Sequence, residues 1–245
     1  MYNWLEDFYR TKLDSSSVRL QNKILKILSA MSLEVKNYLD IGCNDGSFTV
    51  KIAETIQAEN IYGVDIAEVI LKKAREKGIK TFKVDMNYEK LPFPNEYFDF
   101  ISAVDVIEHL VNTDNFLGEI QRTLKTNGLL LVSTPNLGSW LSIISLILGY
   151  VPPSYDISLK YRVGKPFGVS EYKPTTSGHI KLYTTRALLD HLSVYGFKPL
   201  KVVGVPTIIR TSTSSKVVKI LSILDTFFSI SSRFSSGIIL VARKC

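Results

Sequence analysis

The chain has 245 residues, 45% of them hydrophobic and 22% charged, with only two cysteines. That composition suits one folded core and excludes a disordered chain, a collagen-like repeat and a disulfide scaffold. The net charge of +7 is uneven, residues 1–150 summing to −3 and residues 151–245 to +10. A basic half of this kind points to nucleic acid, an anionic membrane surface or an anionic substrate.

Residues 1–33 read as helical, because Leu20, Ile24, Ile27, Leu28 and Met31 recur at helical spacing behind a Ser15-Ser16-Ser17 cap. The first thirteen residues mix acids, bases and aromatics, so no signal peptide is expected. Together with Cys43 and Cys245 as lone thiols, this predicts a cytoplasmic setting. From Tyr38 onward short apolar strands (37–41, 61–64, 81–84, 98–103, 129–133) alternate with amphipathic helices (47–56, 68–77, 115–124), which implies a mostly parallel sheet covered on both faces.

After Pro135 the order loosens. A helix over 140–148 precedes a long loop over 149–178, then come a helix 185–195, a strand 198–205, a helix 217–228 and a last strand 237–241. The stretch 139–148 is far shorter than the roughly 20 apolar residues that cross a bilayer. Its Trp140, Leu141, Ile143, Ile144 and Ile147 predict a helix packed as a lid or core extension, or else an apolar wall for a lipid-like acceptor or a helix resting on a membrane surface. The stripe Val217, Ile220, Leu221, Leu224 and Phe228 predicts a core-facing helix. The loop from Tyr150 to Lys181 interleaves Tyr155, Lys160, Tyr161, Arg162, Lys165, Phe167, Tyr172 and Lys173, a mixture able to stack bases and neutralise phosphates or to form an ordinary basic surface. One domain, 1–245, is expected, with 1–33 as an N-terminal helical cap and 136–183 as an insertion or lid over the acceptor site.

The most informative segment is Asp40-Ile-Gly-Cys-Asn-Asp-Gly46, a strand running through a glycine turn into a helix. Such a loop, at the carboxyl end of the first strand, is where open α/β sheets bind ligands. Acids then end successive strands, at Asp40, Asp65, Asp85 and Asp105, with Asp65 about 20 residues beyond the turn, where a carboxylate accepts both hydroxyls of a ribose. An NAD-dependent dehydrogenase shares this logic, but its loop seats a pyrophosphate, and Asp45 beside Gly46 is a poor neighbour for one.

This segment, with Val64-Asp65, Val84-Asp85-Met86, Leu91-Pro92-Phe93, Phe98-Asp99 and Val106-Ile-Glu-His109, resembles the class I S-adenosylmethionine-dependent methyltransferases. The resemblance implies a Rossmann-like sheet with an antiparallel C-terminal strand and S-adenosylmethionine as cofactor. It places the cofactor against Asp40, Gly42, Cys43, Asn44, Gly46, Asp65, Ile66, Asp85, Met86 and Asp105, with Asp40 toward the methionine ammonium, Asp65 on the ribose and Asp85 on the adenine amino group. Asn44 stands where the family often has glycine, and Asn tolerates the left-handed backbone such a turn needs.

For His109, with Glu108 beside it, three readings stay open: a structural hydrogen-bonded residue, a general base with a pKa near 6.5, or a metal ligand. The segment is similar to the metal-binding Glu-x-x-Glu-His of small-RNA terminal and ubiquinone-pathway O-methyltransferases, with Asp105 in place of the first Glu. That likeness implies Mg²⁺ on Asp105, Glu108, His109 and a distant His179. His191 reads as a surface or packing residue rather than a chemical one. The expected reaction is methyl transfer, chiefly O-methylation, to a small or lipid- or sugar-linked, anionic acceptor. RNA methylation through the basic half and a non-catalytic binding protein are the alternatives.

Overall fold

The computed structural model describes residues 15–161, 163–165, 177–207 and 216–245. Helix α1 spans Ser15–Ser29 and is followed by β1 (Asn37–Ile41), α2 (Ser47–Ile56), β2 (Asn60–Asp65), α3 (Glu68–Glu76) and β3 (Lys80–Lys83). Then come β4 (Phe98–Val104), a 3-10 turn at Ile107–His109, α4 (Thr113–Thr123), β5 (Leu124–Pro135) and α5 (Trp140–Ile147). The chain closes with α6 (Thr185–Val194), β6 (Phe197–Val205), α7 (Lys216–Phe228) and β7 (Gly237–Lys244).

The strands form one sheet in the order β3-β2-β1-β4-β5-β7-β6. The first five are parallel, and β7 runs antiparallel to both its neighbours, β5 and β6. The strand order reverses at β1 and β4, which places a crevice at the carboxyl ends of these two strands.

Alternate residues of the inner strands feed two cores. Leu39, Ile41, Leu130, Val132, Ile238 and Leu240 pack with α4 and α6 on one face. Tyr38, Phe100, Leu131, Ile239 and Val241 pack with Ile24, Ile27 and Leu28 of α1 and Ile52, Ala53 and Ile56 of α2 on the other. Period-two alternation with both sets apolar is what a sheet buried on both faces requires.

After Pro135, α7 differs from the sequence expectation, and α5 departs from the core-packed alternative. In α7, Ile220 and Leu224 are exposed while Ser222 and Asp225 are buried, so the apolar stripe does not face the core. In α5, Ser142 and Ser145 are buried while Ile144 and Ile147 are exposed. The inner polar atoms are satisfied locally: Ser142 N donates to Ser139 Oγ, Ser145 Oγ donates to the Leu141 carbonyl, and Asp225 accepts from the Trp140 indole at 3.0 Å and from Ser236 Oγ. Hydrogen-bond satisfaction, rather than apolar burial, sets which way these helices face. No helix among the described residues is long and apolar enough to cross a membrane. Both cysteines are free thiols, Cys43 buried and Cys245 exposed.

Candidate active site

The glycine turn joins β1 to α2. Gly42, Asn44 and Gly46 all have positive φ, at 74°, 51° and 76°. Asn44 therefore takes the left-handed backbone its position calls for. A Cβ on Gly42 would lie 2.5 Å from Val106 Cγ2, and one on Gly46 would overlap the Ile79 side chain. Conformation and close packing both demand glycine at these two points. Gly42 and Asn44 form the exposed crest of the loop, with Cys43 and Gly46 buried beneath it. The Cys43 thiol is pushed above its usual range by burial and by the charge of Asp40.

Asp40 and Asp65 sit behind this crest. Each oxygen of Asp40 is taken by a hydroxyl, Ser102 Oγ at 2.5 Å and Thr49 Oγ1 at 2.6 Å, and burial raises its pKa to about 6. Asp65 accepts from the Asn44 backbone N–H at 3.1 Å and from Ala67 N–H at 3.0 Å, so the acid ending β2 ties down the turn leaving β1. Ile66 beside it is half-buried. Asp45 points away to serve the start of α2, accepting from Ser47 N and Oγ and pairing with Lys77 at 3.1 Å. A carboxylate thus fills the helix N-terminus that a pyrophosphate would use, which argues against a dinucleotide there.

At the end of β3, Asp85 accepts from the backbone and side-chain N–H groups of Asn87, and Met86 is buried in the core. At the end of β4, Asp105 is exposed with φ of 53° and accepts from Ser133 Oγ at 2.6 Å. A non-glycine residue in the left-handed region carries strain that functional sites commonly hold. Asp105 lines a cleft bounded by Leu20 of α1, Thr134, Pro135, Val205 and Thr207. The N-terminal helix therefore walls the crevice.

Beside it the 3-10 turn carries Glu108, fully buried, with neither carboxylate oxygen hydrogen-bonded among the described residues. The Thr134 hydroxyl lies close enough to ease its ionisation without a well-formed bond. Burial, then the charge of Asp105, pushes Glu108 well above the usual carboxylate range. The Glu108 carbonyl accepts from Ile180 and Lys181 N–H, which draws in the segment carrying His179. His179 Nε2 stands 3.9 Å from Glu108 Oε1, and the His109 and His179 rings meet edge-on at 4.9 Å.

His179 Nδ1 faces the Ser154 carbonyl at 2.9 Å and His109 Nδ1 faces the Gly178 carbonyl at 3.2 Å. A carbonyl only accepts, so both rings carry their proton on Nδ1 and their lone pair on Nε2. That backing is what orients metal-binding imidazoles. Glu108, His109 and His179 offer ligand atoms within 4.8 Å of one another, and Asp105 is not among them. Of the four residues expected as ligands, Glu108, His109 and His179 cluster, while Asp105 accepts from Ser133 Oγ. Burial, aided by His179, lowers His109 to about 4, far below the value assumed for a general base, and burial lowers His179 as well.

The hydroxyls of Ser102, Thr49 and Ser133 that hold the acids carry no motif and escape sequence reasoning. So does the buried pair Lys165–Asp156, at 3.4 Å, which anchors the Gly178 segment through Gly178 N–H. His191 packs between Tyr183 and Asp114, as expected.

The family described as "Methyltransferase domain" matches residues 15–202. A ubiquinone biosynthesis O-methyltransferase of Rickettsia canadensis is 28% identical over 174 residues, 67% of this chain and 72% of that protein. A demethylmenaquinone methyltransferase of Listeria monocytogenes is 30% identical over 128 residues, 49% of this chain and only 54% of that protein. In three dimensions the chain is similar to a Thermotoga maritima S-adenosylmethionine-dependent methyltransferase, described as a possible histamine N-methyltransferase. The TM-score is 0.61 at 19% identity, over 99% of this chain and 95% of the other, which speaks to the fold.

Proposed function

The chain belongs to the methyltransferase-domain family, and from that premise we propose that it methylates a hydroxyl oxygen on a small acceptor with an apolar, lipid- or sugar-linked, anionic portion. It is an S-adenosylmethionine-dependent methyltransferase. The acceptor is the step beyond the family. Its support is the cluster of buried Glu108 with half-buried His109 and His179 beside the crevice, together with the quinone-pathway names of its relatives.

The residues fit the cofactor. The exposed crest at Gly42 and Asn44 lets a ligand reach main chain, and Asp65 behind it supplies a buried carboxylate for ribose hydroxyls. Asp85, with Met86 below it, lies at the next strand end for the adenine. Asp40, with both oxygens taken by hydroxyls, acts as a fixed negative charge behind the loop. Asp105 lies between this crest and the cleft. When bound, S-adenosylmethionine supplies an electrophilic methyl, and the protein's part is mostly alignment of the acceptor within about 3–3.5 Å.

Two imidazoles and one carboxylate suit a borderline divalent transition ion better than Mg²⁺, which prefers an oxygen set. Glu108, His109 and His179 would hold that ion, and a bound cation lowers the pKa of a hydroxyl beside it. With a pKa near 4, His109 is too weak a base to serve well alone, so Glu108 and His109 hold and orient rather than abstract a proton. A nucleic-acid acceptor gains no support: Lys165 is consumed by Asp156, and Lys181 Nζ donates to the Val111 carbonyl. Arg162, Phe167, Tyr172 and Lys173 lie outside the described residues.

Purified protein incubated with methyl-labelled S-adenosylmethionine and a prenylated catechol should transfer label to oxygen, with none passing to the same compound already O-methylated. Label appearing only on amine or carbon analogues would sink the oxygen assignment.

A further inference from the structure

The second half of the molecule carries two helices built inside out. On α7 the exposed large apolar residues are Ile220, Ile223, Leu224 and Phe227, at helical spacings of three and four, and Ile230 continues the line. On α5 they are Ile143, Ile144, Leu146 and Ile147, with Leu148 just beyond. Ser142 and Ser145 of α5 and Ser222 and Asp225 of α7 are buried, while Lys216 and Thr226 of α7 are exposed. Phe227 is 64% exposed and Ile147 77%, whereas Asp225 is 0% and Ser145 2% exposed.

The orientation is locked. Trp140 at the head of α5 stacks on Phe228 of α7 at 5.4 Å and donates to Asp225, and Trp140 N–H donates to the Phe234 carbonyl. Rotating either helix to bury its apolar stripe would break these bonds and take from buried Asp225 the indole N–H it accepts. Scattered exposed apolar residues are ordinary, but two adjoining stripes are not.

Charge says what covers them. In residues 137–165 and 206–245 the only acids are Asp156 and Asp225, and both are buried. Lys216 at the start of α7 and Arg233 soon after its end are exposed, as is Lys160 in the segment after α5, and Lys219 of α7 is half-buried. A second copy of the chain would bring these bases against one another with no acid opposite, which disfavours self-association. An apolar surface with bases around it and no exposed acid among the described residues of these two segments matches an anionic bilayer, where helices lie flat with the apolar side in the acyl boundary.

We infer that α5 and α7 form a peripheral docking face for anionic phospholipid membranes. The face adjoins the crevice, because Thr207 both lines the cleft and donates its N–H to Asp225 at 2.8 Å. Docking would therefore turn the cleft toward molecules held in the bilayer, a consequence that rests on the methyl-transfer reading, whereas docking itself does not.

The test is co-sedimentation of the full chain with vesicles of phosphatidylcholine alone and of phosphatidylcholine mixed with phosphatidylglycerol. The wild type should pellet with the mixed vesicles and much less with the neutral ones. Ile147→Ser and Phe227→Ser, at exposed positions, should each weaken binding about tenfold. Their melting temperatures and S-adenosylhomocysteine affinity should stay unchanged. Lys216→Glu with Arg233→Glu should erase the preference for phosphatidylglycerol. A wild type left in the supernatant with both vesicles overturns the inference, as does equal binding to both. A dimer in light scattering that these Ser variants dissociate also overturns it, by assigning the face to a second copy.

Discussion

Asp40 lies among β1, β4 and α2 with its charge answered only by hydroxyls. Burial dominates, and its pKa rises to about 6 from 3.8. In the unfolded chain the group loses its proton near 3.8, so between that pH and about 6 the native state holds more protons and stability falls as pH rises. The stabilisation is complete below the unfolded pKa and gone above the folded one, and two units correspond to about 3 kcal/mol. Asp40→Asn keeps the shape without the titration. Urea unfolding should show the wild type losing about 3 kcal/mol relative to this variant from pH 3.8 to 6, and parallel curves would refute the buried-acid account. The left-handed turn at Asn44 was legible in the sequence, because glycine spacing and Asn's backbone tolerance are local properties. The hydroxyls on Asp40 were not, since Ser102 reaches it across a strand pairing 62 residues away. The same limit explains Asp105: its place in the motif suggested a ligand, and only the neighbouring β5 strand reveals Ser133 drawing it aside.

Elements up to Pro135 followed the sequence closely because each is set by its own periodicity. Strand β1 and helix α2 begin and end where the pattern places them, and β5 merely starts earlier, at Leu124. The difference lies in α7, where the period is legible but the buried side is not, and in α5, where the stripe takes the exposed alternative. Apolar stripes predict burial only when the opposite face has no stronger claim, and here the opposite faces carry buried, hydrogen-bonded Ser142, Ser145 and Asp225. That gives a prediction at this scale. Trp140→Phe keeps the ring stacked on Phe228 but removes the indole N–H from buried Asp225. The loss should cost about 1–3 kcal/mol in thermal or urea unfolding, with S-adenosylhomocysteine affinity unaltered. An unchanged stability would mean that Asp225 is held adequately by Ser236 and Thr207 alone.

At the scale of the whole molecule the decisive feature is where the chain ends in the sheet. β7 lies between β5 and β6, and Ile238, Ile239, Leu240 and Val241 are all fully buried. The two cores share strands from both halves of the sequence, which predicts that the acidic half carrying the glycine turn and the basic half carrying α5 and α7 unfold together. A ligand seated on the turn at the end of β1 must then stabilise the far edge at β6 as much as its own surroundings. At a concentration about 100 times its dissociation constant, S-adenosylhomocysteine adds about 2.7 kcal/mol. For a chain of this size that raises the melting temperature by about 5–10 °C. The melt should remain a single transition and move as a whole. Asp65→Ala, lacking the buried carboxylate behind the turn, should shift little at the same ligand concentration. A two-step melt in which only the first step responds would divide the chain into separate units, and a wild type that does not shift would remove the glycine turn as the cofactor site.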